Sequence, residues 1–92
     1  MDLKLKGKVA MVAASSKGLG YGIAQALAQE GASISIGSRT QKDIKIAAKK
    51  LSKKTGVPVL GSVLDSSNPI SIKQWTDETL KEFGGVDKLV VN

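Results

Sequence analysis

Ninety-two residues with 41% apolar side chains suffice for one small domain, and a core of that size buries a modest fraction of the chain's surface. Cysteine and histidine are both absent, which excludes a disulfide framework and any thiolate or imidazole metal site. No carboxylate pair stands at ligand spacing near the glycine-rich turn described below, so no metal is expected. The net charge of +6, from thirteen lysines and the single arginine Arg39 against eight acids, leaves a nucleic-acid partner to be weighed against a solvated basic surface.

The chain opens with alternating charged and apolar residues over 1–6, and the apolar stretch that follows is too short for the hydrophobic region of a signal peptide. No later stretch approaches the length of a membrane span, and a soluble cytoplasmic protein is expected. Residues 8–14 are continuously apolar after Lys8, with no period of two. A strand buried on both faces reads this way, which implies a parallel sheet.

Next comes the glycine-rich turn of residues 13–22, A-A-S-S-K-G-L-G-Y-G, leading into an amphipathic helix over 19–30. A strand that stops at small residues and re-enters a helix through glycines leaves free backbone N–H groups at the helix start, a seat for a phosphate. A β-carbon at Gly18 or Gly20 would hold a pyrophosphate off the backbone, and Gly22 is expected to let the helix press against the sheet. Ser15 and Ser16 offer hydroxyls to cap the helix or bind a phosphate oxygen. Leu19, Ile23, Ala26 and Leu27 form the expected buried stripe, and Gly31 its C-terminal stop. A plain turn without a ligand is the alternative reading of these glycines.

A second strand covers 32–37. Thr40 then caps a second helix, with Asp43 in the place of the usual capping-box Glu or Gln. Ile44, Ala47, Ala48 and Leu51 recur at i, i+3, i+4 and i+7, which turns Lys42, Lys45, Lys49, Lys50, Lys53 and Lys54 toward water. No aromatics interleave with these lysines to stack on bases, so a solvated face is preferred to a nucleic-acid site. Gly56 closes the helix, and a third strand covers 57–64, with Pro58 near its start and Gly61 as a possible bulge. Asn68 caps a third helix with Pro69 at its first position. Ile72, Trp75, Leu80 and Phe83 mark its apolar face, with Trp75 and Phe83 as core anchors, and Gly84-Gly85 ends it. Residues 86–92 form a fourth strand with an open apolar edge at Leu89, Val90 and Val91, so dimerisation, aggregation or membership of a longer polypeptide is expected.

The order β-α-β-α-β-α-β predicts an α/β fold, a doubly wound parallel sheet of about four strands and three helices, with ligand at the carboxyl ends of the strands. In such a dinucleotide fold, a residue about 20 positions beyond the glycines meets the adenosine ribose. That place holds Gly37-Ser38-Arg39, with no acid to accept a bond from a free 2′-hydroxyl. Arg39 can pair with a 2′-phosphate, and Lys17 can approach the same anion, so NADP is favoured over NAD. An ordinary surface charge after a strand is the alternative reading of Arg39.

These residues resemble the short-chain dehydrogenases/reductases, and within them the NADP-dependent ketoreductases of the 3-oxoacyl-carrier-protein reductase type. The family motif Thr-Gly-x-x-x-Gly-x-Gly is similar to Ala13-Ala14-Ser15-Ser16-Lys17-Gly18-Leu19-Gly20, with alanines in the first two places. The resemblance implies that Asp65, in Val63-Leu64-Asp65, holds the adenine, although Ser66 stands where the family often has a branched apolar residue. It also sets Asp87-Lys88-Leu89-Val90-Val91-Asn92 beside the family's Asp-x-Leu-Val-Asn-Asn strand, with Asn92 at the second Asn and Val91 replacing the first. The cofactor contacts so implied are Ala14, Ser15, Ser16, Lys17, Gly18, Leu19, Gly20, Ser38, Arg39, Asp65 and Asn92.

The family's chemistry uses a Ser, a Tyr and a Lys, the last two as Tyr-x-x-x-Lys. Tyr21 is followed four positions on by Gln25, so residues 1–92 contain no such pair. The expectation is therefore an NADP-binding Rossmann segment from an oxidoreductase acting on a small carbonyl or alcohol substrate. That segment would be inactive alone and homo-oligomeric as the parent protein. A stand-alone nucleotide-binding module without catalysis is the alternative.

Overall fold

The computed structural model describes residues 4–13 and 17–91. Its elements are β1 (Val9–Ala13), α1 (Gly18–Gln29), β2 (Ser33–Ser38), α2 (Gln41–Thr55), β3 (Val59–Val63), α3 (Pro69–Phe83) and β4 (Lys88–Val90), in the expected alternation. All four strands are parallel and lie in the order β3-β2-β1-β4. The register sets Ala10 beside Ile34 and Lys88, and Val12 beside Ile36 and Val90.

All five residues of β1 are buried because helices cover both sheet faces. Ala10, Val12, Ile34 and Ile36 pack on one face with Ala24 and Ala28 of α1 and with Ile44, Ala47, Ala48 and Leu51 of α2. The four-residue stripe expected on α2 is thus wholly buried. On the opposite face, Met11 and Ala13 meet Leu64 and Trp75 of the α3 layer. At the sheet's lower edge, Asp87 joins β4 to β1 in both directions: its N–H donates to Val9 O at 2.8 Å and its Oδ2 accepts from Val9 N at 2.9 Å.

The face that α1 turns to the sheet differs from expectation. The buried residues are Gly20, Ala24 and Ala28, whereas Leu19 is 72% exposed and Ala26 is exposed. Gly22 lies on the exposed side, with nothing within 4 Å of an added β-carbon. Close helix–sheet approach selects the smallest side chains, so the packing role expected of Gly22 belongs to Gly20. Gly61 is likewise not a bulge, since β3 runs through it in register with Ile36. A β-carbon at Gly61 would lie 2.8 Å from Ile44 O and 2.9 Å from Ala48 Cβ, so its bareness seats α2 on the sheet.

The helix ends follow the expected punctuation with one exception. Asn68 Oδ1 accepts from Ile70 N at 2.9 Å, with Pro69 at the first helical position. Gly56 closes α2 as expected. Thr40 occupies the N-cap of α2 but its side chain makes no capping bond. On α3, Trp75 and Thr79 are buried, Phe83 is half-buried, and Ile72 and Leu80 are exposed, so the apolar face is narrower than the spacing predicted.

Candidate functional site at the strand ends

Parallel strands bring their carboxyl ends to one edge, and the order β3-β2-β1-β4 reverses direction at β1. Successive connections leave β1 on opposite sides, which opens a crevice above that strand. The chain from β1 enters α1 through Lys17, extended at φ −161° and ψ 171°, and Gly18, at φ +73°. That second conformation is one an L side chain rarely adopts. An added β-carbon at Gly18 would meet nothing within 4 Å among the described residues, so on their side the space above this turn is open. Lys17 is the N-cap residue and its side chain makes no capping bond, so it leaves the N–H groups of the first turn of α1 uncovered. Gly20 is buried beneath the turn and Leu19 projects outward. Ala14, Ser15, Ser16 and Asn92 lie outside the described residues.

At the end of β2, Ser38 O accepts from Leu64 N at 2.7 Å, which carries the ladder to the rim. Ser38 Oγ is buried and has no hydrogen-bond partner among the described residues. Arg39, the next residue, is exposed. After β3, Asp65 organises the turn into α3. Its N–H donates to Ser71 Oγ at 2.9 Å, and its Oδ1 accepts from Ser67 Oγ at 2.6 Å and Ser67 N at 3.0 Å. These two Ser67 bonds, the side-chain one foremost, hold the Asp65 carboxyl below the ordinary carboxylate range. Partial desolvation opposes them and the Arg39 charge reinforces them. Arg39 and Asp65, 26 residues apart in sequence by subtraction, thus share one electrostatic neighbourhood.

The arrangement offers a bare backbone turn at a helix start, a buried hydroxyl without a partner, a cation, and a carboxylate with Oδ2 unused among the described residues. A ligand with phosphates and a hydroxylated or aminated ring matches that set in chemistry. Among the described residues no group of three or more carboxylates could hold a metal ion, and no helix is long and apolar enough to cross a membrane.

Two features escaped the sequence reading. One is the Asp87 clasp, hidden because a lone Asp before an apolar run carries no pattern. The other is a groove between α1 and α2, lined by Tyr21 and Ala47 among others, whose residues read individually as core or surface.

Known proteins share this architecture. The chain is 44% identical over 89 residues to tropinone reductase-like 3 of Erythroxylum coca, a match covering 97% of the chain and 34% of that relative. It is 35% identical over 92 residues to a 3-oxoacyl-acyl-carrier-protein reductase of Chlamydia muridarum, covering 100% of the chain and 37% of that protein. Among solved structures, L-sorbose reductase of Gluconobacter frateurii, complexed with NADPH and L-sorbose, superposes with a TM-score of 0.91 at 37% identity, over 97% of this chain and 34% of that one. The chain therefore spans about a third of the length of these relatives. The short chain dehydrogenase profile matches residues 8–92, nearly the whole sequence, and places the chain in that family.

Proposed function

We propose that this chain is the cofactor-binding part of an NADP(H)-dependent carbonyl reductase or alcohol dehydrogenase of the short-chain type. In this reading, the Ser, Tyr and Lys of catalysis belong to sequence beyond these residues. The observation that carries the reading is Gly18: a positive φ under open space, at the start of a helix above the sheet's switch point. The solved relative that binds NADPH has the same fold over 97% of this chain.

Ala14, Ser15, Ser16, Gly18, Leu19 and Gly20 would form the pyrophosphate seat, with Gly20 also holding α1 close to the sheet, and Lys17 would approach the 2′-phosphate. Arg39 would pair with the 2′-phosphate and Ser38 would give its unmatched hydroxyl to the ribose side. Asp65 Oδ2 would accept from the adenine amino group, while Oδ1 stays committed to Ser67. Asn92 would complete the set of cofactor contacts. When bound, the cofactor supplies a hydride to the carbonyl carbon of a small-molecule substrate. The residues present position that cofactor and hold no proton donor for the reaction.

Calorimetric titration of the 92-residue chain with NADPH and NADH tests the reading. NADPH is expected to bind more tightly, and Arg39→Asp to weaken NADPH at least about tenfold, equivalent to about 1.4 kcal/mol, with little effect on NADH. Equal losses for both would remove Arg39 from the 2′-phosphate, and failure of both to bind would overturn the reading itself.

A further inference from the structure

The groove between α1 and α2 adjoins the strand-end crevice at Lys17 and Gly18, and neither Arg39 nor Asp65 lines it. It is a cavity of about 410 Å³ between the start of α1 and the first turns of α2, within the range of small-ligand sites. Gly18 borders it on the α1 side and Ala47 on the α2 side.

Its floor is apolar. Tyr21 packs against the core cluster, Ala47 belongs to that cluster, and Ile46 beside them is 58% exposed. The rim is charged, with Lys17 and Lys50 against Asp43, and none of the three forms an ion pair or side-chain hydrogen bond among the described residues. The Tyr21 hydroxyl is shielded from water and also lacks a partner among them, leaving a desolvated donor and acceptor unmatched.

Two ammonium groups against one carboxylate leave the groove net positive above an apolar floor. The complementary molecule has a single negative head and an apolar body, since Asp43 would repel a second negative charge. We propose that this groove binds a small amphipathic monocarboxylate. Its head lies against Lys17 and Lys50, and its body lies on Tyr21, Ile46 and Ala47. The groove shares Lys17 and Gly18 with the proposed cofactor seat, while Tyr21, Asp43, Ile46, Ala47 and Lys50 have no part in that reading, and its test is run without any nucleotide.

Sodium octanoate is the probe, titrated into the isotopically labelled 92-residue chain and followed by backbone amide NMR shifts. Saturable shifts confined to the first turns of α1 and α2 are expected, with octylamine and acetate each binding at least about tenfold more weakly. Ile46→Glu, at a position already more than half exposed, and Lys50→Glu are each expected to raise the octanoate Kd at least about tenfold while the remaining spectrum is retained. Absence of saturable binding, shifts centred on α3 or β4 instead, equal binding of octylamine, or octanoate affinity unchanged in both variants would each overturn the proposal. Acetate binding as tightly as octanoate would do so too, because the apolar floor would then play no part.

Discussion

At Gly18 the backbone stands at φ +73° with open space where a side chain would project. Gly18→Val faces two separate costs there. The left-handed conformation destabilises a β-branched residue by about 1–2 kcal/mol, and the isopropyl group occupies the place proposed for the pyrophosphate. The variant is expected to lose NADPH and NADH binding together while still unfolding cooperatively in urea. Retained binding of either nucleotide would move the seat away from this turn.

Asp65 permits a second test at the same scale. Its folded-state pKa is lowered, so its contribution to stability is complete above the pKa of the unfolded chain and is lost as pH falls through the folded value. Carboxyl-carbon NMR is expected to show Asp65 titrating below ordinary aspartates, and Ser67→Ala to raise it by removing the shorter of the two bonds. An unchanged titration in that variant would assign the shift to the Ser67 N–H bond and the Arg39 charge instead.

At the level of elements, α3 is locked to the sheet by a closed polar circuit inside an apolar layer. Trp75 Nε1 donates to Ser35 Oγ at 2.9 Å, Ser35 Oγ and Thr79 Oγ1 are 2.7 Å apart, and Thr79 Oγ1 donates to Trp75 O at 2.8 Å. Because the Thr79 proton goes to Trp75 O, the Ser35 proton goes to Thr79, and every member is satisfied. Ser35→Ala leaves the indole N–H without its acceptor in a buried site, at a cost of about 1–3 kcal/mol. Urea unfolding is the measurement, and a loss within error would mean that the circuit contributes nothing net.

The helices also show where periodicity is legible and where it is not. On α2, Ile44, Ala47, Ala48 and Leu51 fall on one stripe against a lysine-rich opposite side, and the contrast is unmistakable. On α1 the larger residues drew the expected stripe, yet the buried line is Gly20, Ala24 and Ala28. A helix that must approach the sheet closely is selected for small volume, which a reading by hydrophobicity ranks low.

For the molecule as a whole, β4 is an edge strand of three residues whose Leu89 is 61% exposed, and Ile70, Ile72 and Leu80 of α3 are exposed as well. An unpaired edge beside exposed apolar side chains is a template for association. In size-exclusion chromatography the 92-residue chain is expected to elute larger than a monomer, and Leu89→Lys to shift it toward one. A concentration-independent monomer in the unsubstituted chain would show that this edge does not associate.

The order of elements, the parallel sheet and the glycine-rich turn between β1 and α1 are all determined by the sequence itself. Each depends on local signals: unbroken apolar runs, a helical period, and glycine or proline at the ends. Tertiary structure alone decided that Gly20 rather than Gly22 meets the sheet, that Gly61 seats a helix, and that Asp87 clasps Val9. It also placed Ser35 with Trp75 and Thr79, and Arg39 within the field of Asp65. Those outcomes depend on distances between residues far apart in the chain, set by the sheet's register and the depth of helix packing, and no local pattern of residues encodes them.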